Sequence, residues 1–258
     1  MTTCLITAFM DINRSNWNNF QRSTHDYIKS FKQYLFLDHH IFVFIEDDLL
    51  EIIKEIVKDK NNFTIIPISS IYSKIQSFHY IEKENEIMNS KFFKFIMNER
   101  IEFPECSKEK YNIIQHAKID FVLYISENYP EFEYYAWSDF GYFQNYQLTK
   151  SIKLNDHHFP KDQIMYQSLR KIKNDDINLY YNLFFAPSII CGSFFVGNKY
   201  SISIFHSLYH KILISKFHNN NIVDDDQHIV LQCYFKNPKL FSFFVHSEWH
   251  QIYKYLIL

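Results

Sequence analysis

Cys4-Leu5-Ile6-Thr7-Ala8-Phe9 is an almost continuous apolar run that passes directly into a polar segment, Asp11–Asn19. Two similar runs follow at Ile41–Ile45 and Phe63–Pro67, and apolar residues at helical spacing lie between the runs. A strand that is buried on both faces of a parallel sheet is apolar along its whole length. Alternating strands and helices predict parallel pairing through right-handed crossovers. We therefore predict an α/β fold with a Rossmann-like, mostly parallel central sheet flanked by helices.

The rest of the chain continues this alternation, with more helix and one long irregular stretch. The predicted helices are Glu84–Glu99, Lys108–Asn128, Ser201–Phe217 and a segment that follows Asp226 and reaches about Tyr234. The predicted strands are Glu133–Ser138, Ile189–Val196 and Leu240–Val245. Because His157, His158 and Pro160 disfavour long helices, Gln144–Asp176 is predicted to be rich in loops.

Composition excludes several classes of function. The formal net charge is −2, so no excess of charge favours nucleic acid or an anionic membrane. No apolar stretch approaches the roughly 20 residues of a membrane-spanning helix, and no transmembrane segment is predicted. The chain has 27 phenylalanines and 19 tyrosines but only 3 glycines, a bias typical of an AT-rich coding sequence.

The cysteines indicate a reduced protein. Cys4, Cys106, Cys191 and Cys233 are far apart and form no C-x-x-C pair. Met1–Met10 lacks the basic start of a secretory signal. We expect a cytoplasmic location, which would be the host cytoplasm if the source is a virus. The sequence does not predict an oligomeric state.

All three glycines lie in two short segments, Trp137–Tyr142 and Cys191–Gly197. In a chain that otherwise avoids glycine, each is expected at a position that another residue would not fit. Glycine permits a positive φ and lets the backbone approach a ligand closely. The alternative is that these glycines serve only in turns.

Asp139 is the leading candidate functional residue, because it directly follows the predicted strand Glu133–Ser138. In open α/β sheets, ligands bind beyond the carboxyl ends of the strands. A carboxylate there can hold a divalent cation that bridges a diphosphate and neutralises charge on a departing nucleoside diphosphate. The alternative is an aspartate that caps a turn.

Four segments occur in a characteristic order along almost the whole chain. They are Thr7-Ala8-Phe9-Met10-Asp11-Ile12-Asn13-Arg14, Trp137-Ser138-Asp139-Phe140-Gly141-Tyr142, Gly192-Ser193-Phe194-Phe195-Val196-Gly197 and Asp224-Asp225-Asp226-Gln227. Together they resemble the HtrL/YibB-type family, whose members are regarded as glycosyltransferases. The resemblance implies a glycosyltransferase A-type fold and action on a nucleotide sugar, often in building surface glycans.

The first two segments supply most of the expected donor site. The residues expected to bind the nucleotide sugar are Thr7, Ala8, Phe9, Asp11, Arg14, Lys118, Trp137, Ser138 and Asp139. Asp11 can accept a hydrogen bond from a base or ribose, and the guanidinium of Arg14 can bind diphosphate oxygens. The alternatives are that Asp11 and Arg14 pair with each other and that Lys118 lies on a solvated helix face.

The resemblance also implies a metal. Many glycosyltransferases of this fold carry Asp-x-Asp at the strand end, whereas here Gly141 occupies the second acidic position. The expected cofactor is a divalent cation, Mn²⁺, held by Asp139 and by His246, because related folds use a late histidine after the final strand. His250 is the competing ligand. The alternatives are weakly metal-dependent catalysis and ordinary surface roles for both histidines.

Asp224-Asp225-Asp226 has two interpretations. Acidic residues that open a helix cap its free amides and complement its dipole. In the functional interpretation, Asp225 or Asp226 is the general base for the acceptor hydroxyl, or a stabiliser in a retaining transfer. Gly192 and Ser193 would then line the acceptor and sugar side.

The predicted function is a glycosyltransferase of hexosyltransferase type. It would move a sugar from a nucleotide-sugar donor, expected to be a UDP-sugar, to a glycan or protein-linked hydroxyl acceptor. One domain is expected over residues 1–258, with a nucleotide-binding half, 1–145, and an acceptor-binding half, 146–258. One alternative is a non-catalytic nucleotide- or glycan-binding module of the same fold, which Gly141 favours. The other is a metal-dependent α/β phosphodiesterase that uses the acidic triplet.

Overall fold

The computed structural model describes residues 2–145 and 147–256. Its strands are β1 (Thr3–Phe9), β2 (His40–Ile45), β3 (Phe63–Pro67), β4 (Tyr134–Ser138), β5 (Ile164–Ser168), β6 (Ile190–Gly197) and β7 (Phe241–Val245). Its α-helices are α1 (Thr24–Phe31), α2 (Leu50–Val57), α3 (Ile81–Asn89), α4 (Lys91–Ile96), α5 (Pro104–Ser107), α6 (Glu109–Asn128), α7 (Leu179–Phe185), α8 (Lys199–Ile212), α9 (Asp226–Lys236) and α10 (Ile252–Tyr255). Short 3-10 turns connect many of these elements.

All seven strands form one sheet in the order β3-β2-β1-β4-β6-β5-β7. The pairs β3–β2, β2–β1 and β1–β4 are parallel, as is β5–β7. Only β6 runs against its neighbours in this sheet, because it pairs antiparallel with both β4 and β5. The carboxyl ends of β1 and β4 and the amino end of β6 therefore meet on one rim of the sheet. This rim is where the sequence predicted the ligand.

The core explains why the first strands were predictable. Every residue of β1 is buried, and so is every residue of β4 and β6. Helix α6 packs on one face of the sheet, where Phe121 stacks on Phe44 with ring centroids 4.5 Å apart. A strand buried on both faces is mostly apolar, so the sequence pattern of these strands is nearly continuous rather than alternating. The buried polar exceptions are Thr3, Thr7, Ser138 and Ser193.

Two predicted elements differ from the structure. The single helix predicted over Glu84–Glu99 is broken between α3 and α4, because Ser90 has an extended backbone and its side chain caps Phe93 N at 3.1 Å. The stretch predicted to be loop-rich contains β5, whose pairing with β6 and β7 depends on residues distant in sequence. A five-residue strand with polar Gln167 and Ser168 gives a weak local signal.

The four cysteines are all buried and unpaired. No helix among the described residues combines the length and the apolar character that crossing a bilayer requires.

His39 makes the stability of this fold depend on pH. Its side chain is buried, and its Nε2 accepts a hydrogen bond from Leu154 N at 3.2 Å. Burial, followed by the charge of Lys153, lowers the pKa of His39 from 6.5 to about 4. The unfolded chain binds this proton at a higher pH than the folded chain, so stability is lost as pH falls from 6.5 towards 4. We expect His39 to cost about 2 kcal/mol of unfolding free energy between pH 7 and pH 5.

Urea unfolding of the wild type and of His39→Gln at both pH values measures this contribution. Glutamine can still accept the Leu154 N–H but does not titrate. The variant should therefore lose about 2 kcal/mol less than the wild type over this range. Equal losses in the two proteins would show that His39 is not the group responsible.

Candidate active site

The rim formed by β1, β4 and β6 carries an open cavity of about 520 Å³. Most of the residues that the sequence predicted as functional line this cavity: Ala8, Phe9, Asp11, Arg14, Lys118, Trp137, Asp139, Gly192, Ser193 and Asp226. Asp139 N donates to Ser193 O at 2.9 Å, which joins the end of β4 to the start of β6. The chain thus brings Asp139 and the turn after β1 to the same side of the sheet.

Asp11 shapes the turn that follows β1. Its carboxylate accepts hydrogen bonds from Asn13 N at 2.8 Å and from Thr24 Oγ1 at 2.5 Å. Its own N–H donates to Glu46 at 2.7 Å. Asn13 adopts the left-handed conformation, with φ of 57°. Asp11 therefore holds the turn in place, and it does not pair with Arg14, which was the alternative left open by the sequence.

Two arginines extend into the cavity from this turn without an acidic partner. Arg14 donates to Phe20 O at 2.7 Å and to Tyr27 Oη at 2.9 Å. The guanidinium of Arg22 lies over the Tyr27 ring, 4.0 Å from its centroid, and donates to Gly141 O at 3.3 Å. Within residues 2–145 and 147–256, neither forms an ion pair. Two partly buried guanidinium groups without carboxylate partners favour an anionic ligand.

Arg22 is a cavity residue that the sequence prediction missed. The signal was present, because the chain has only four arginines and two of them lie within this short segment. The scarcity that drew attention to the glycines applies equally to arginine. In a chain that otherwise avoids arginine, each arginine indicates a position where lysine would not serve, because only arginine has a planar guanidinium.

Lys118 lies between two carboxylates. Its ammonium is 3.2 Å from Asp139 Oδ1 and 3.0 Å from Asp226 Oδ2, and it also donates to Gly192 O at 3.0 Å. The side chain is only 5% exposed. Burial alone would lower the pKa of Lys118, but the charges of Asp139 and Asp226 outweigh it and raise that pKa. Lys118 is therefore a buried cation that bridges Asp139 and Asp226 in the cavity wall, not a residue on a solvated helix face.

Asp139 is held from several sides. Trp137 Nε1 donates to its Oδ1 at 2.7 Å, beside the contact from Lys118. Tyr34 Oη donates a hydrogen bond to the backbone carbonyl of Asp139 at 2.7 Å. The side chain remains 34% exposed. Asp139 thus presents a fixed carboxylate to the cavity, which is more than a turn cap requires.

The three acidic residues at the start of α9, Asp224, Asp225 and Asp226, have three different environments. Asp224 accepts a hydrogen bond from His228 Nδ1 at 2.7 Å, away from the cavity. Asp225 is the N-cap of α9, where it accepts from Gln227 N at 3.0 Å, and it does not line the cavity. Asp226 does line it. Burial, with the nearby charges of Asp225 and Asp139, raises the pKa of Asp226 despite the opposing charge of Lys118.

The glycines act by leaving space rather than by backbone conformation. None of them has a positive φ, in contrast to one of the two reasons expected from the sequence. A Cβ on Gly192 would lie 2.6 Å from Asp226 Oδ2, and a Cβ on Gly141 would lie 2.5 Å from Arg22 Nη1. The close approach expected from the sequence is therefore to side chains of the site itself. Gly197 lies against Ile164 and Ser201, outside the cavity.

Four predicted site residues do not reach the cavity. Thr7 and Ser138 are fully buried within β1 and β4 and do not line it. Asp225 is the helix cap described above. His246 follows β7, where its Nε2 is 3.0 Å from Tyr255 Oη. The competing histidine, His250, does line the cavity, and burial lowers its pKa.

Groups of three potential metal ligands occur among the described residues, but none of them includes Asp139. Among residues 2–145 and 147–256, groups of three ligand atoms within 4.8 Å of one another are formed by Asp120, His206 and His210 and by Asp224, Asp225 and His228. Neither group includes Asp139. In place of a second acid, Asp139 has Lys118 as its neighbour and the guanidinium of Arg22 over Gly141.

The family model for a bacterial protein of unknown function, HtrL_YibB, matches residues 1–257. The chain belongs to the HtrL/YibB family. It is also 25% identical over 270 residues to Protein HtrL of Escherichia coli K12, which covers 98% of this chain and 92% of that protein. The family membership expected from the four sequence segments is thereby confirmed.

Among solved structures, the HtrL/YibB chain is similar to apo mouse xyloside xylosyltransferase 1, with a TM-score of 0.50 and 8% identity, over 95% of this chain and 85% of that one. It overlaps less well, with a TM-score of 0.40 and 12% identity, with a 4-diphosphocytidyl-2C-methyl-D-erythritol synthase from Anaerococcus prevotii. That match covers 98% of this chain and 89% of the other. The predicted fold class, a mostly parallel α/β sheet of glycosyltransferase A type, is confirmed.

Proposed function

We propose that this HtrL/YibB protein transfers a sugar from a nucleotide-sugar donor, with a UDP-sugar as the expected donor, to a hydroxyl group of a glycan or protein-linked acceptor. One observation carries the proposal. The turn after β1 and the carboxylate after β4 share one cavity, into which two arginines project without acidic partners. A fixed carboxylate beside guanidinium groups that have no carboxylate partner suits a ligand that has sugar hydroxyls next to a diphosphate.

The donor would lie along the rim. Ala8 and Phe9, at the carboxyl end of β1, line the part of the cavity proposed for the nucleobase. Arg14 and Arg22 would bind the diphosphate, and Asp139 would accept hydrogen bonds from hydroxyls of the ribose or the transferred sugar. Residues 1–145 would then supply most of the nucleotide contacts, and residues 146–258 would supply the acceptor side.

The acceptor would approach past Gly192 and Ser193 towards Asp226. A buried carboxylate whose pKa is raised towards neutrality suits a general base, because it can take a proton and release it near pH 7. Asp226 rather than Asp225 is the candidate, because only Asp226 lines the cavity. The charge of Lys118 opposes the rise in this pKa and so favours the ionised form of Asp226, which a general base requires.

Binding of a nucleotide panel tests the proposal. Thermal shift followed by isothermal titration would compare UDP, GDP, CDP and the corresponding nucleotide sugars, each with and without Mn²⁺. At least one nucleotide should raise the melting temperature, because a ligand that binds only the folded chain stabilises it. The variant Asp225→Asn can still cap α9 and should bind the nucleotides like the wild type, which controls for indirect effects of the acidic segment. Failure of every nucleotide to bind would refute the proposal.

The same panel separates the alternatives. Binding without transfer to any glycan acceptor and without donor hydrolysis would indicate the non-catalytic module. Cleavage of phosphodiesters without affinity for any nucleotide sugar would indicate the phosphodiesterase.

A further inference from the structure

We infer that Arg22 and Arg14 neutralise the departing diphosphate in place of a divalent cation, so that sugar transfer by this chain does not require Mn²⁺. This inference rests on the proposed function and concerns how the same cavity performs it. It assigns Arg22 a role in binding the diphosphate. It also departs from the metal that the resemblance implies.

The position that a second acid would occupy is taken by a cation. In an Asp-x-Asp sequence, the second carboxylate would project from residue 141. A Cβ at Gly141 would lie 2.5 Å from Arg22 Nη1, 2.7 Å from Nη2 and 2.9 Å from Cζ. The backbone of Gly141 has no positive φ that would exclude another residue. Glycine at this position therefore makes room for the guanidinium group.

The space between the remaining carboxylates is also taken by a cation. A metal shared by Asp139 and Asp226 would have to lie where the Lys118 ammonium lies, within 3.2 Å of both. Asp139 Oδ1 also accepts the Trp137 N–H at 2.7 Å. A divalent ion beside these groups would meet the charges of Lys118 and Arg22 with few oxygen ligands left to bind it. Even with His250 on the same cavity wall, no group of three ligand atoms among the described residues includes Asp139, so the donor set does not fit a resident divalent cation there.

Arg22 is arranged to receive an anion. Its guanidinium is fixed by the Tyr27 ring on one side and by Gly141 O at one nitrogen, which leaves other N–H groups for a ligand. Arg14 donates to the hydroxyl of the same Tyr27. The two charged groups thus flank one aromatic ring on the cavity wall. Two guanidinium groups can bind neighbouring phosphate oxygens in a bidentate manner, which a single lysine cannot do.

The proposed sugar transfer needs no reactant besides the donor and the acceptor. The bond between the anomeric carbon and the diphosphate oxygen breaks, and its electron pair stays on that oxygen. The acceptor oxygen forms the new bond to the anomeric carbon and loses its proton to Asp226. The charge that develops on the diphosphate is met by Arg14 and Arg22, groups whose positive charge is already in place before the reaction.

Metal dependence of the wild-type protein is the first test. The nucleoside diphosphate that binds most tightly in the panel would be titrated into protein treated with EDTA and into protein supplied with Mn²⁺, and transfer would be measured under both conditions. We expect dissociation constants and rates that agree within about threefold. Loss of transfer in EDTA that Mn²⁺ restores would overturn the inference, while the proposed function would stand. Absence of nucleotide binding under both conditions would refute the proposed function itself.

Variants at Arg22 are the second test. Arg22→Gln should weaken binding of the same nucleoside diphosphate at least about tenfold, because a charge-assisted hydrogen bond is lost. Arg22→Lys should recover only part of this loss, because it restores the charge without the planar fork. Lys60→Gln removes one positive charge from an exposed position outside the cavity and is the matched control. Unchanged affinity in Arg22→Gln, with its circular dichroism and melting temperature intact, would remove Arg22 from the site.

Discussion

Replacement of Lys118 by methionine is expected to lower the free energy of unfolding by about 3 to 5 kcal/mol. Lys118 is the ammonium between Asp139 and Asp226, and Asp226 is almost completely buried. Removal of one partner of a buried ion pair leaves the other charge without compensation in a medium of low polarity. Methionine keeps most of the side-chain volume, so packing changes little. Urea unfolding at pH 7 measures the loss.

Two further variants identify the origin of this loss. In the double variant Lys118→Met with Asp226→Asn, one of the uncompensated carboxylates is gone, so part of the lost stability should return. Lys110→Met removes an exposed lysine from the same helix, α6, and should change stability by no more than about 0.5 kcal/mol. If Lys118→Met is as stable as the wild type, Lys118 does not bridge Asp139 and Asp226 in solution.

Asp226→Asn is expected to reduce the turnover number by about 10² to 10⁴, with little change in the dissociation constant of the donor. The substitution preserves the shape of the side chain but removes its ability to accept the acceptor proton. Folding should be retained, because Lys118 keeps Asp139 as an ionic partner. Steady-state kinetics with saturating donor, together with titration of the donor into the variant, separates the two quantities.

The neighbouring residue provides a sharp control. Asp225→Asn keeps a good N-cap for α9 and changes no residue that lines the cavity. Because it removes one of the charges that raise the pKa of Asp226, its turnover number should change by no more than about tenfold, far less than in Asp226→Asn. An equal loss in both variants would indicate that the acidic segment acts through the structure of α9. Loss of turnover in Asp225→Asn but not in Asp226→Asn would show that Asp225, and not Asp226, is the base.

The position of the site's rim could be predicted from the sequence, because the strands of a parallel sheet have a strong local pattern of apolar residues. β1, β2 and β3 are short runs of apolar residues, and a chain of alternating strands and helices must place their carboxyl ends on one side. Asp139 follows such a strand, so its position relative to the turn after β1 could be predicted from the sequence alone. β5 lacked that pattern, since its apolar run, Ile164–Tyr166, is short and is followed by polar residues, and its partners are distant in sequence.

The inner wall of the site could not be predicted in the same way. Lys118 lies in the middle of a helix, and its contact with Asp226 joins residues that are 108 positions apart. No pattern within α6 shows that this lysine faces two carboxylates and not solvent. His246 was expected from a resemblance to related folds, whereas the structure directs it to Tyr255 and brings His250 to the cavity. The direction in which a side chain points after a strand depends on the loop, and no local pattern determines that loop.

The decisive measurement is a crystal structure of the chain with the nucleoside diphosphate that binds it most tightly. We expect diphosphate oxygens within hydrogen-bond distance of Arg14 and Arg22, the nucleoside beside Ala8 and Phe9, and Asp139 facing the end of the diphosphate that would carry the sugar. A nucleotide bound away from the rim of β1 and β4, with this cavity unchanged, would show that the rim is not the donor site.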